Sequence, residues 1–523
     1  MKIKDILRDD FEFNGDIAID IKGIAYDSRK VKQGDLFAAI RGENVDGHDF
    51  IGDSINKGAV SVIYEKIWAN AHFFRDKYPE IAWIGASDTR EAVAYLASRF
   101  YNNPSEEISL IGITGTNGKT STSYIIKKIL ERCGHDTGLI GTIGYLIRSK
   151  FHKALHTTPE AADFQELLRK MADEGCRYVV SEVSSHALFQ KRVDYSRFKT
   201  AVFTNLTQDH LDFHMTMESY YKSKERLFTE LLVDGGYAVI NIDNPYGERL
   251  LGELKKSRGS ALRYLTYSID SPLADLRALN INIAFKGLSF TVRQTGLTKD
   301  LSGIEIQSGL IGMPNVYNLL ASIGSAISLG IPAELIKEAV RGLSGVRGRF
   351  ERVDAGQDFL AIVDYAHTDD ALAGLLATAR QLIKNGDLGR RIVRAGAEEK
   401  SFFGKKIITV FGCGGNRDRG KRAKMAEAAT RLSDYVIMTT DNPRFEEPMD
   451  ILRDMEKGTV ASNYLMIPNR RLAIQMAVEM ASSGDIVLVA GKGHEDYQEI
   501  KGVCYAFCDR TELANAISKI KGR

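Results

Sequence analysis

The stretch "IGITGTNGKTSTSY", residues 111–124, decides the fold of this chain. Gly118-Lys119-Thr120 ends it like a phosphate-binding loop, but the usual template wants a glycine five residues before Gly118, where Ile113 stands. Gly112 and Gly115 fall one position too early and two too late. The context is nevertheless that of a phosphate cradle. An apolar strand, "SLIGIT", precedes the loop, and Ile125, Ile126, Ile129 and Leu130 recur after it at the spacing of a helix over 119–132. Backbone N–H groups at such a helix start face an anion, a lysine adds a point charge, and a hydroxyl such as that of Thr120 suits Mg²⁺. The plain alternative is a glycine-rich turn with an exposed lysine, which would not need this strand–loop–helix setting.

Outward from the loop, strands and helices alternate: "YVVSEVS", "TAVFTNLT", a helix near 217–232, and "GYAVINID". That alternation predicts an α/β fold with a parallel sheet covered by helices. Residues 280–312 change to short alternating runs before a helix begins near Asn315, and βα alternation returns in "KIITVFGCGG", "DYVIMTTDNPR" and "GDIVLVAGKGHEDYQ". The 523-residue length exceeds one ordinary core. Three domains are expected: 1–105, mixed strands with a helix near 88–101; 106–345, holding the phosphate loop; and 346–523, Rossmann-like. "YNNPSEE" (101–107) reads as a polar linker with a proline breaker. The charged stretch 384–406 reads as a mobile surface insertion.

With 44% hydrophobic and 26% charged residues the composition is that of a globular protein, and the net charge of +2 provides no basic field for nucleic acid. The N-terminal "MKIKDILRDDFEFNGD" lacks a signal peptide's apolar core. No apolar run approaches the roughly 18 residues of a membrane span. The five cysteines, Cys133, Cys176, Cys413, Cys504 and Cys508, form no CxxC pair. A disulfide framework or zinc site is therefore not expected, and a reducing cytoplasm fits.

The loop resembles the ATP loop of the Mur ligases, amino-acid-adding enzymes of peptidoglycan precursor synthesis, whose core the folylpolyglutamate synthetases share. Further motifs follow in the family's order: "YDSRKVKQGDLFAAIRGENVDGHDF", "HTTPE", "SEVSSHAL", "TNLTQDHLDFH", "YYKSKERLF", "GMPNVYNLLAS", "GVRGRFE", "VDYAHT", "FGCGGNRDRGKR", "TTDNPR" and "GKGHEDYQ". In a loop of this type Gly115 and Gly118 bracket only Thr116 and Asn117, so the odd spacing is the expected one. Ser121 replaces the commoner threonine and keeps the hydroxyl.

The resemblance implies ATP as co-substrate, held by Gly115, Thr116, Asn117, Gly118, Lys119, Thr120 and Ser121, with Asn315, Arg349 and Asp364 as further contacts. It implies Mg²⁺ on Thr120, Glu182, His210 and Lys224, the lysine as a carbamate, and it makes Lys119, Glu182, His210 and Lys224 the catalytic set. From the residues alone, Glu182 after its strand and Lys224 on an amphipathic helix would be solvated charges. His210 would be an ordinary structural histidine, and Asn315 an N-cap.

For a UDP-N-acetylmuramoyl-dipeptide, the resemblance implies Ser28, Glu43, Asn44, Val45, Thr157, Thr158, Ser184, Gln190 and Arg192. His156 stands where relatives often have asparagine. For the incoming amino acid it implies Arg417, Asp441, Asn442, Pro443, Arg444, Gly491 and Glu495. Three of the C-terminal strands end in loops carrying these residues, as ligand pockets of open α/β sheets do. "DNPR" marks family members that add meso-diaminopimelate: the Arg444 fork would clamp the distal carboxylate that L-lysine lacks, and Glu495 would take the distal ammonium. The implied activity is amide-bond formation through an acyl phosphate, by a monomer whose C-terminal domain closes on the ATP site. The rivals are a lysine-adding or folate ligase, and a non-catalytic nucleotide-sugar or ATP binder. "GCGG" lacks the GxGxxG spacing of a dinucleotide site.

Overall fold

The computed structural model describes residues 1–523 except 43–44, 285–286, 296–301, 344, 385–403 and 522–523. Glu43 and Asn44, and nearly all of the 384–406 stretch, therefore lie outside the described residues. The chain divides into two compact units. The first holds 1–277, 293–301 and 317–339, and the second 278–292, 302–316 and 340–523.

The first unit contains two sheets. Its N-terminal sheet has five strands in the order Glu12–Asn14, Ala82–Ala86, Ser61–Glu65, Asp35–Ala38 and Gly23–Ala25, parallel except for the first. At the centre of the second sheet lies Ser109–Thr114, paired in parallel with Tyr178–Glu182 on one side and Phe198–Phe203 on the other. The parallel order continues outward through Leu232–Asn241 to Arg263–Ser268, and in the other direction to Thr137–Ile140. Leu110, Ile111 and Ile113 are inaccessible to solvent. A strand apolar on both faces belongs in the middle of a helix-covered sheet, so the phosphate loop leaves the carboxyl end of a strand protected on both faces.

The Lys119–Arg132 helix begins where the sequence placed it and buries Ile125, Ile126, Ile129 and Leu130. Two local readings need correction. The helix predicted over 217–232 is α-helical only over Met217–Arg226; a π turn, Leu227–Leu231, follows, and the next strand starts at Leu232. Widening that turn keeps Leu227, Phe228 and Leu231 all inside. The 101–107 linker contains a one-turn helix, Pro104–Glu107, with Pro104 in its first turn and Asn102 and Asn103 both left-handed before it.

In the second unit Leu288, Ser289, Phe290 and Thr291 pair antiparallel with Glu305–Ser308. The C-terminal sheet runs Glu351–Val353, Leu360–Asp364, Ile486–Ala490, Ile407–Cys413, Tyr435–Thr440, Tyr464–Met466, parallel after the first pair. Chain order reverses between Ile407–Cys413 and Ile486–Ala490, where an open α/β sheet opens a crevice beyond its strand ends. A separate hairpin, Tyr497–Ile500 with Val503–Ala506, follows. Among the described residues, no helix is long and apolar enough to cross a membrane.

Candidate active site

In the first unit the loop is shaped by two left-handed glycines, Gly115 (φ 146°) and Gly118 (φ 87°). A Cβ on Gly115 would sit 1.9 Å from the Thr204 hydroxyl, so only glycine fits there. Neighbouring strand ends brace the rest. The Thr116 amide donates to the Asn205 carbonyl (2.9 Å), and the Asn117 amide to the Asn205 side chain (3.0 Å). Thr204 donates its hydroxyl to the Asn117 carbonyl (2.7 Å). Gly118 caps the following helix without a side-chain acceptor, which leaves the helix start's N–H groups available to an anion.

Both candidate lysines converge on this loop. Lys119 Nζ donates to the carbonyls of Gly115 and Thr116 (2.8 Å each), and Lys224 Nζ to the same Gly115 carbonyl at 3.0 Å. Lys224 is 1% exposed and lies 4.5 Å from the Tyr220 ring centre. Its amine pKa is driven well below the usual lysine value, first by burial and then by the Lys119 charge. The reading of Lys224 as a solvated charge is thus overturned: its helix turns Tyr220, Tyr221, Ser223 and Lys224 inward.

Glu182 is fully buried rather than solvated. One carboxylate oxygen accepts from Thr120 Oγ1 (2.9 Å) and Thr142 Oγ1 (3.0 Å), the other from the Thr142 amide (3.0 Å). His210 takes a left-handed backbone (φ 53°), with Nε2 3.3 Å from Asp209 and its ring beside those of His186 and Tyr220. The Tyr220 hydroxyl in turn meets Thr116 Oγ1 at 3.1 Å. Ser121 is buried in the first turn of the loop helix.

The dipeptide-side residues gather around the Glu182 strand end. Thr157 Oγ1 lies 3.1 Å from Thr142 Oγ1; Thr158 Oγ1 donates to the Glu182 carbonyl (2.8 Å) and accepts from the Ser184 amide (3.1 Å). Arg192 donates to the Thr158 carbonyl and twice to Gln190, and pairs with Glu160 at 2.7 Å. The Ser28 carbonyl accepts from Lys57 Nζ (2.9 Å), and Val45 is exposed on its loop.

In the second unit Asn315 is not an N-cap. The helix starts at Met313, and the Asn315 side-chain amide donates back to the Ile311 carbonyl at 2.8 Å. Asp364 accepts the amides of Phe350 (2.6 Å) and Ala366 (2.8 Å), while the Arg349 guanidinium lies 4.8 Å from the Tyr365 ring centre.

Of the residues expected to hold the amino acid, Asp441, Asn442 and Glu495 meet at the ends of the C-terminal strands, and here the chain holds partners the sequence did not reveal. Lys492 is fully buried and donates to Glu495 (2.9 Å), Asn442 (3.0 Å) and Asp441 (3.3 Å); Asn442 also donates to Glu495 (2.9 Å). Arg444 donates to Glu499 (3.1 Å) and to the Gly415 carbonyl (2.7 Å). A Cβ on Gly415 would fall 1.9 Å from the Pro443 carbonyl, and one on Gly491 3.2 Å from Asp441. "GCGG" is therefore glycine-rich to admit the 441–444 loop. Arg417 stands exposed at the rim. Lys492, between two glycines at a strand end, was the one missed residue with a signal in the sequence.

Family models match three successive segments: "Mur ligase family, catalytic domain" over 20–101, "Mur ligase middle domain" over 113–326, and "Mur ligase, glutamate ligase domain" over 348–493. The chain is 42% identical to the UDP-N-acetylmuramoyl-L-alanyl-D-glutamate--2,6-diaminopimelate ligase of Clostridium tetani, over 99% of this chain and 100% of that one. It is also 42% identical to the ligase of the same name from Bacillus licheniformis, over 96% of each chain. A solved structure of a ligase of that name superposes with a TM-score of 0.66 at 30% identity, covering 100% of this chain and 99% of the other. With a matching phosphate loop, matching domain order and relatives of this likeness over its whole length, the chain belongs to the Mur ligase family.

Proposed function

We propose that this chain is an ATP-dependent ligase that joins meso-2,6-diaminopimelate to the D-glutamate γ-carboxylate of UDP-N-acetylmuramoyl-L-alanyl-D-glutamate, acting in the cytoplasm on peptidoglycan precursors. The observation that carries this reading is the full-length 42% identity to a ligase of that name. Domain boundaries near 105 and 345 go with it, as does action as a monomer.

The substrate carboxylate attacks the terminal phosphorus of ATP, giving an acyl phosphate and ADP. The amino-acid amine then adds to the acyl carbon, and phosphate leaves from the tetrahedral intermediate. Charge on the transferring phosphoryl group is the dominant catalytic demand, and Lys119 with the 115–121 loop meets it. Asn315, Arg349 and Asp364 are the proposed further nucleotide contacts. Thr157, Thr158, Ser184, Gln190 and Arg192 would orient the dipeptide, with Ser28 and the 43–45 stretch on the UDP.

The donors fit Mg²⁺. Among the described residues no cluster of three or more His, Cys, Asp or Glu side chains stands ready to hold a metal. A magnesium ion takes only one or two carboxylates and completes its shell with water and phosphate, and the Thr120–Glu182 pair, at 2.9 Å, offers that donor type. His210 would be a further ligand. Burial and the Lys119 charge favour the neutral amine of Lys224, the form that would add to CO₂ with loss of a proton to give an anionic carbamate. When bound, the ion would neutralise phosphate charge during transfer.

The test is phosphate release by the purified chain with ATP, Mg²⁺, the UDP-muramoyl-dipeptide and diaminopimelate. Release should require all four. Release that ignores the dipeptide or the amino acid would reject the ligase reading.

A further inference from the structure

Two of the cations at the second unit's strand ends, Lys492 and Arg444, each have an internal carboxylate, but the two pairs differ. Lys492 is sealed, with no side-chain exposure. Arg444 and Glu499 remain in contact with solvent, at 19% and 25% side-chain exposure, so a ligand can reach them.

The hairpin 497–506 sets Arg444 in place. Arg444 has a left-handed backbone (φ 51°), costly for a residue with a side chain. Its amide donates to the Glu499 carbonyl (3.0 Å), and its carbonyl accepts from Lys501 (2.6 Å). Lys501 and Gly502, both at positive φ (50° and 77°), make the tight two-residue turn of that hairpin. The Glu499 amide is tied to Asn442 (2.9 Å), which fastens the hairpin to the 441–444 loop a second time.

The guanidinium is similarly committed. Nε donates to Glu499 at 3.1 Å and Nη1 to the Gly415 carbonyl at 2.7 Å. Gly414 leaves room for it, since a Cβ there would lie 3.1 Å from Nη1. The Nη2 N–H groups have no hydrogen-bond acceptor among the described residues.

We propose that Glu499 is a specificity-determining residue, the resident counter-ion of Arg444 that sets how strongly the site prefers an amino acid with a distal carboxylate. This rests on reading 441–444 and 491–495 as the amino-acid site. A substrate carboxylate must share Arg444 with Glu499, and the two like charges weaken its binding. An amino acid without that carboxylate leaves Arg444 paired with Glu499 rather than stranded, which removes much of the penalty that would reject it. Glu499 narrows the preference from both sides.

Glu499→Gln keeps the side chain's length and an acceptor oxygen while removing the charge. The expected result is a KM for meso-diaminopimelate lowered about fivefold, and a ratio of kcat/KM for diaminopimelate over L-lysine raised about tenfold, the size of losing one partly screened charge. Glu499→Ala should move the ratio the same way, with circular dichroism melting curves checking that each variant is folded. A ratio at the wild-type value in both variants, or a KM for diaminopimelate that rises in Glu499→Gln, overturns the proposal. The underlying reading is judged separately. If the wild type does not use diaminopimelate, or Arg444→Ala leaves its KM unchanged, the site assignment fails; if the wild type and Arg444→Ala behave as that assignment requires, an unmoved ratio condemns only the role of Glu499.

Discussion

Arg470 and Asp509 are the most instructive pair to break. Neither side chain has any solvent exposure, and the two form a double hydrogen bond with both distances at 2.7 Å. Arg470 also donates to the carbonyls of Thr440 (3.2 Å) and Ala490 (2.9 Å), the residues just before Asp441 and Gly491. Arg470→Met would leave a carboxylate buried without a cation and two carbonyls without donors. Breaking one side of a buried pair costs about 3–5 kcal/mol. Asp509→Asn should cost a similar amount by stranding the guanidinium. In the double variant neither charge is left alone; the two carbonyl bonds are lost, about 1 kcal/mol each, and the new buried amide at 509 lacks its partner, about 1–3 kcal/mol. The double variant should therefore be more stable than the sum of the singles by about 3 kcal/mol or more, a coupling that a double-mutant cycle isolates. Urea unfolding provides the assay. Trp68 and Trp83 both lie in the N-terminal part of the chain, so far-UV circular dichroism, which reports the C-terminal sheet and its helices as well, is the readout. Additivity within about 0.5 kcal/mol would refute the reasoning.

His494 provides a pH test. Burial first, then Arg349 and Arg347, push its imidazole pKa from 6.5 down to about 4. The folded chain then binds fewer protons than the unfolded chain between these values, so stability should fall as pH drops from 6.5 to about 4, by up to about 3 kcal/mol. His494→Gln should flatten that part of the stability–pH curve; an unchanged slope would contradict it. Gly115→Ala drives a methyl into the Thr204 hydroxyl at a backbone angle of 146°. Nucleotide affinity, measured by calorimetry, should drop at least about tenfold, and retained affinity would reject the loop geometry. Lys224→Met should keep or raise the melting temperature, because it removes a buried amine, while abolishing ligase activity that short carboxylates partly restore. Full activity without them would exclude the carbamate.

The phosphate loop was legible because its signals are local: a strand apolar on both faces, two glycines at the needed turns, and a helix whose four aliphatic residues share one face. The strand–helix alternation likewise read through to the central and C-terminal parallel sheets, while the parallel order of the N-terminal sheet was not read from its short mixed runs. Lys224 was not legible from the residues: Met217, Tyr220 and Tyr221 mark the covered face of "MESYYKSKER" and Lys224 falls on it, but a lysine on a surface helix reads by default as a solvated charge. The resemblance supplied what the periodicity could not. Lys492 and Glu499 escaped for another reason. The Lys492 contacts arise where two strand-end loops meet, about 50 positions apart, and the Glu499 contact where the hairpin folds back onto the 441–444 loop, 55 positions from the arginine it pairs with. The interior position of Asn315 turned on a helix start two residues earlier than expected, within the ordinary uncertainty of helix ends.

The central claim is most directly tested by competition: the purified chain with ATP, Mg²⁺ and UDP-N-acetylmuramoyl-L-alanyl-D-glutamate, given meso-diaminopimelate and L-lysine in equal amounts, with the nucleotide-linked products separated by mass. The diaminopimelate product should predominate. A product mixture led by lysine, or no amide product from either, would contradict the account.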